Sequence, residues 1–253
     1  MRKLVILTLI ASLLLSLAGC RAFPNIVNSP DDVEGKVIGG LAGTPSLRLA
    51  DELGAARAFY SGADMMIELR AGLIDCAIME RTTAIELVSG TSGVRILNDP
   101  LLEYELRFAV PRENAGLLNA VNMALEVLSR NGTLRGLTNR YFSRGNFYYV
   151  SPEDIDRSAG NLTIALLTDS PPFSYKNEDG NFVGMDVDVA TAVSDILGVE
   201  LDVIELDDAW DLVTAVWHGR ADLALGWHPG EGEGRINTSE PYASAVQVVI
   251  VRR

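Results

Sequence analysis

Apolar positions along this chain recur at two spacings, and the switches between them mark out the elements. Residues 36–41 form a short apolar run bounded by turn residues, which predicts a buried strand. Gly43-Thr44-Pro45 then opens a helix, with Thr44 as N-cap and Pro45 at the first helical position, where a missing N–H is harmless. Ser61 is placed to cap the next helix, which carries Met65, Met66 and Leu69 and stops at Gly72. Residues 74–79 read as a buried strand, 82–88 as a helix and 107–110 as a strand. A strongly periodic helix over 117–128 ends at Asn131-Gly132, and a shorter one holds Leu134, Leu137, Tyr141 and Phe142. Residues 144–160 break this rhythm with turn-rich polar sequence and read as a linker. Beyond it come a strand over 162–167, a hairpin turning at Asp179-Gly180 and a helix over 186–197 stopped by Gly198. A strand over 201–205, a helix over 208–218 capped by Asp207 or Asp208, a strand over 222–225 and a final strand over 245–251 complete the pattern. Strands alternating with helices predict an α/β architecture with mostly parallel sheets.

The first twenty residues add a compartment. Arg2 and Lys3 precede an apolar run from Leu4 to Leu17, the charge and core pattern of a secretory signal, and the run is too short to span a bilayer comfortably. Leu17-Ala18-Gly19-Cys20 resembles the lipobox of bacterial lipoproteins. The resemblance implies removal of residues 1–19, acylation of Cys20, and membrane contact through that lipid alone. Apart from Cys20 there is one further cysteine, Cys76, in a strand-like apolar stretch. It reads as an inert core thiol, and no internal disulfide is expected. Two histidines and no Cys/His cluster make a zinc site improbable, and no cofactor is expected. The formal net charge of −13 argues against nucleic acid and against a basic patch for anionic lipid.

Two segments resemble the family-3 solute-binding proteins of polar-amino-acid ABC transporters. Pro171-Pro172-Phe173-Ser174-Tyr175, Asp179-Gly180 and Phe182-Val183-Gly184-Met185-Asp186-Val187-Asp188 resemble the opening of that family's first lobe. The likeness continues through Trp210, the step from Gly219 to Asp222, and Thr238-Ser239-Glu240-Pro241-Tyr242. Residues 32–39 with Gly43-Thr44 resemble the opening of the second lobe, 66–80 resemble its next stretch, and 108–112 with 131–133 its closing section. Each piece occurs once, with the second lobe first in the chain. The resemblance therefore implies a two-lobed type II periplasmic-binding-protein fold with mixed sheets and helices, circularly permuted. Residues 31–102 would form lobe 2. Residues 107–253 would form lobe 1, from a closing section (107–143), the linker (144–160) and the first-lobe start (161–253). Such permutation is tolerated where termini lie at the surface.

The same resemblance implies a site for a zwitterion between the lobes. Gly43-Thr44 at a helix N-terminus suits a carboxylate, although Thr44 is also a simple cap. Glu80, at a strand exit, stands where the family places an acid for the ligand ammonium; its other reading is a solvated strand-end acid. Arg235 matches the family's carboxylate-binding Arg in residue type but stands closer to Pro241-Tyr242, and it reads equally as a surface Arg. Trp210 packs either on the ligand or in the core. Ser170 stands where an aromatic is expected, which leaves room that Trp227, after Gly226, is placed to refill. Candidate ligand-binding residues are thus Thr44, Glu80, Ser170, Trp210, Gly226, Trp227 and Arg235, with no catalytic residue assigned. His228 reads more readily as structural than as a contact.

The expected function is capture of a small ligand, an amino acid or related zwitterion, by a monomer that delivers it to an ABC permease. Two alternatives stay open. One is a ligand-sensing subunit for a signalling receptor; the other is a dehydratase-like enzyme on the same fold, for which Glu80, Asp169 and His228 are the available acids and bases.

Overall fold

The computed structural model describes residues 27–42, 44–143, 145–207, 209–227 and 234–253, with the side chains of Asp169, Ala209, Trp210 and Trp227 left undescribed. The segment 1–26, with Cys20, and the loop 228–233 lie outside the described residues. So do Gly43, Arg144 and Asp208.

The order begins β1 (Val37–Leu41), α1 (Pro45–Leu53), β2 (Ala55–Phe59), α2 (Gly62–Ala71), β3 (Cys76–Glu80), α3 (Arg81–Ser89) and β4 (Val94–Ile96). A long strand β5 (Leu102–Pro111) then leads to α4 (Ala115–Arg130) and α5 (Thr133–Ser143). After the linker come β6 (Asn161–Leu167), β7 (Asp169–Ser170), β8 (Ser174–Lys176), β9 (Phe182–Val183) and α6 (Met185–Leu197). The remainder is β10 (Glu200–Leu206), α7 (Ala209–Trp217), β11 (Leu223–Trp227), β12 (Ile236–Thr238) and β13 (Ala243–Arg252).

The main sheet runs β10-β6-β11-β5-β13-β3-β1-β2, with β12 paired to β5 and β4 to β13. Its two ends are parallel, β2-β1-β3 at one and β10-β6-β11 at the other. The centre is antiparallel, because β5 and β13 pair with each other and with one neighbour from each end. The sheet is therefore mixed, where strand–helix alternation alone suggested mostly parallel pairing. A short sheet β7-β8-β9 holds the hairpin that turns at Gly180.

Two lobes follow from this arrangement, each with helices on both faces of its sheet. In the lobe built on β1, β2 and β3, Met65, Met66, Leu69, Ala77, Met79 and Val248 pack on one face. Ile38, Ala50, Cys76, Ile78 and Val249 pack on the other. The lobe built on β6, β10 and β11 buries Leu106, Phe108, Leu125, Leu137, Ile164 and Val189 on one face, and Ala109, Ala165, Val213, Val216 and Ala224 on the other. The Cys76 thiol is fully buried, and desolvation pushes it up to about 12, which keeps it unreactive.

Small residues set how closely α1 approaches the sheet. A Cβ on Gly40 would stand 2.6 Å from the Cα of Leu47, so only glycine admits the helix backbone at that distance. Ser61 caps α2 by accepting from the Asp64 N–H, and Gly72 ends the helix in the left-handed conformation. Residues 145–160 form no helix or strand, yet they are docked on α6. Tyr149 donates to Asp195 at 2.9 Å, Arg157 pairs with the same carboxylate, and the Ala159 N–H reaches the Gly198 carbonyl at 3.0 Å. Among the described residues no helix is long and apolar enough to cross a membrane.

Candidate functional site

In parallel α/β sheets, ligands gather where strands end and helices begin. Thr44 and Glu80 stand at such ends of one lobe, following β1 and β3. Ser170 and Gly226 stand at the corresponding ends of the other, following β6 and within β11.

Glu80 is buried, and its carboxylate is the N-cap of α3. Its Oε2 accepts from the backbone N–H groups of Thr82 at 2.7 Å and Thr83 at 3.2 Å. Burial raises its pKa, and those backbone donors oppose the rise. It is thus not the solvated strand-end acid of the alternative reading. The carboxylate has lone pairs beyond those the two N–H groups use. Thr44 occupies the N-cap position of α1 as predicted, but its hydroxyl donates backward to the Leu41 carbonyl at 2.8 Å and makes no cap bond.

Gln247, in register opposite Glu80 on β13, was not singled out by sequence reading. It is 1% exposed, accepts from the Ser46 hydroxyl at 2.7 Å, and donates to the Tyr104 hydroxyl at 3.3 Å. This chain joins α1 to both central strands. A lone Gln inside an apolar run, between Val246 and Val248, was the available signal. Desolvation raises the Tyr104 phenol; Glu80 and Asp186 raise it further and Arg48 opposes them, so acids of both lobes act on one hydroxyl.

In the lobe opposite Glu80, Ser170 is buried, and its carbonyl accepts from the Phe173 N–H at 2.8 Å. Gly226 has φ +67°, and a Cβ there would meet Asp186 Oδ2 at 2.6 Å, so two independent constraints require glycine. Its N–H donates to the Tyr242 hydroxyl at 3.1 Å, which donates to Asp186 Oδ1 at 2.6 Å. Both members of that acid–phenol pair are buried. The side chains of Trp210 and Trp227, and His228 with it, lie outside the described part of the structure.

Arg235 is not brought to this place. Gln247, opposite Glu80, pairs with Leu102 on β5, whereas Ile236 pairs with Pro111. Nine residues of strand separate those positions, about 30 Å at the usual rise. β12 pairs with residues 109–111 of β5, which places Arg235 away from the strand ends. There it is exposed, and its guanidinium lies 4.2 Å from the ring centroid of Trp217. Of its two readings from sequence, the surface Arg is the one the structure fits.

A pocket of about 620 Å³ opens beside Gln247, between α1 and the central strands. Arg48, Leu49 and Glu52 form its helical wall, and Glu103, Tyr104 and Gln247 face them.

Comparison with known proteins places residues 162–253 in a match to the bacterial extracellular solute-binding proteins, family 3. The first-lobe motifs at 171–188 and 238–242 fall inside that match and support the resemblance read from them. The L-cystine-binding protein TcyJ of Escherichia coli (strain K12) is 28% identical over 120 residues, 46% of this chain and 45% of that protein. A cyclohexadienyl dehydratase of Pseudomonas aeruginosa is 41% identical over 68 residues, 26% of this chain and 25% of that protein. The matched parts therefore span less than half the length of these relatives. Among solved structures, a phosphate-binding protein of a phosphate ABC transporter from Streptococcus pneumoniae TIGR4 is similar with a TM-score of 0.48 and 11% identity. That likeness covers 87% of this chain and 89% of that one.

Proposed function

We propose that this chain, with its family-3 match over residues 162–253, is an extracytoplasmic solute-binding protein that captures an amino acid or related zwitterion between its lobes. In this reading it is a monomer, anchored by a lipid on Cys20, and hands its ligand to an ABC permease. The segments follow a circularly permuted order, with residues 31–102 as lobe 2 and 107–253 as lobe 1, except that the end of β13 from Val248 onward packs in lobe 2. Supporting that order, the second-lobe motifs lie around β1 and β3, at one end of the main sheet, and the first-lobe motifs lie on β8, β9 and α6 and next to β11 and β12, away from that end.

The observation that carries the ligand class is Glu80. A buried carboxylate at a strand end, already oriented by two backbone donors, offers an ammonium group a fixed acceptor. A ligand ammonium leaves water only where such an anion compensates it. Thr44 at the α1 N-terminus serves the carboxylate of the same head group. Ser170 and Gly226 belong to the facing wall, Trp210 and Trp227 stay candidates from sequence, and Arg235 takes no part.

Calorimetry with a bound amino acid and its deaminated analogue tests the assignment. Glu80→Gln is expected to weaken the amino acid by about 2–5 kcal/mol, and the analogue much less. Equal affinities across all four combinations would remove Glu80 from the site.

A further inference from the structure

The pocket beside α1 contains none of the residues assigned above, but it begins at both ends of the proposed head-group site. Pro45, on its wall, follows Thr44, and Gln247, on its floor, is the register partner of Glu80. A ligand held by its head at Thr44 and Glu80 has this space open to its side chain. The volume exceeds what an amino-acid side chain fills, so fit does not limit it.

The chemistry of the floor narrows what fits. A carboxamide has two N–H donors. One donor of Gln247 reaches Tyr104, its oxygen takes the Ser46 proton, and among the described residues its second N–H has no hydrogen-bond partner. A fully buried donor in that state favours an incoming acceptor. Charge on the walls acts the other way. One guanidinium, Arg48, stands with three carboxylates, Glu52, Glu103 and Glu105, the last already paired with Arg107 at 2.5 Å. An anionic end group supplies the acceptor but meets an excess of negative charge. A cationic end group suits the charge but leaves the Gln247 N–H unmet. A neutral planar amide satisfies both, with its carbonyl toward Gln247 and its NH2 toward the acidic rim.

We propose that this pocket is the side-chain subsite of the bound amino acid, and that Gln247 selects side chains ending in a carboxamide. The proposal rests on the amino-acid reading above.

Calorimetry with L-glutamine, L-glutamate, L-lysine and glycine tests it on the whole chain. Glutamine is expected to bind at least about tenfold tighter than glutamate, the effect of one well-placed hydrogen bond in a buried site. Gln247→Met removes the donor at similar volume and should lower glutamine affinity about tenfold relative to glycine affinity. Gln247→Glu keeps the shape, removes both donors and should shift preference toward lysine. Melting curves confirm that each variant is folded. Should both fail to fold, Leu49→Trp narrows the pocket from the helical wall without touching the buried chain, and should weaken glutamine more than glycine. Glutamine and glutamate binding equally to the unaltered protein, or selectivity unmoved by the folded variants, overturns the subsite while leaving amino-acid binding intact. Failure of every α-amino acid to bind removes both readings together.

Discussion

Asp186 gives the sharpest test of how burial acts in this protein. It is the second residue of α6, 1% exposed, and among the described residues its one side-chain hydrogen bond comes from the buried Tyr242. Desolvation pushes its carboxyl from 3.8 to about 7, against the opposing effect of the Tyr242 bond. The sign follows from proton binding. Between those two values the folded protein retains a proton that the unfolded chain has lost, so stability falls as pH rises. A rise of roughly three units at about 1.4 kcal/mol per unit amounts to about 4 kcal/mol, present below the unfolded pKa and gone above pH 8. About 3 kcal/mol of that falls between pH 5 and pH 8, a large share of an ordinary domain's stability. Asp186→Asn has no proton to lose. Urea titrations followed by tryptophan fluorescence at pH 5 and pH 8, extrapolated linearly, give both stabilities for both proteins. The unaltered protein should lose about 3 kcal/mol more than the variant over that interval. Glu80 and Asp188, whose pKa values burial also raises, are common to both and cancel in the comparison. Parallel pH profiles would show that Asp186 is not the titrating group, whatever the absolute stabilities.

Two further outcomes follow from sequence and packing. Gly40→Ala places a methyl against the backbone of α1 and should destabilise the fold by about 1–3 kcal/mol, read from the urea midpoint at unchanged slope. Mass spectrometry of membrane-associated protein should find a lipid-modified Cys20 and no residues 1–19. Recovery of soluble protein beginning elsewhere, indifferent to Cys20→Ser, would refute the anchor.

The regular elements were legible where one signal dominated. The run at 162–167 became β6 (Asn161–Leu167), and the periodic stretch at 117–128 became α4, because hydrophobic spacing alone decides such segments. Gly72 and Gly198 stopped their helices in the left-handed conformation, as expected of glycine at those positions. Unforeseen was β2 (Ala55–Phe59), an edge strand whose Ala-rich sequence lacks strand character and which forms by pairing with β1. β12 is equally a product of long-range pairing, and sequence left both readings of Arg235 open for that reason: its position depends on a partner more than a hundred residues away. In the site, Glu80 was recognisable as an acid at a strand exit, but its role as helix cap was not. Nor was the partnership of Gln247 with Ser46 and Tyr104, which joins three segments distant in sequence. Charge and spacing identify candidate groups, whereas a hydrogen-bond chain across a strand crossing exists only once the topology is built.

The central place of β13 bears on how the protein is made. This strand pairs with β3, β4 and β5 and contributes side chains to both lobes, yet it follows all three in chain order. While the ribosome is still extending the chain, β3 and β5 lack the strand that lies between them. Partial structures at that stage expose apolar surface and unpaired strand edges. Completion of either half thus waits for residues 243–252, so the two should acquire their native form together and not one after the other.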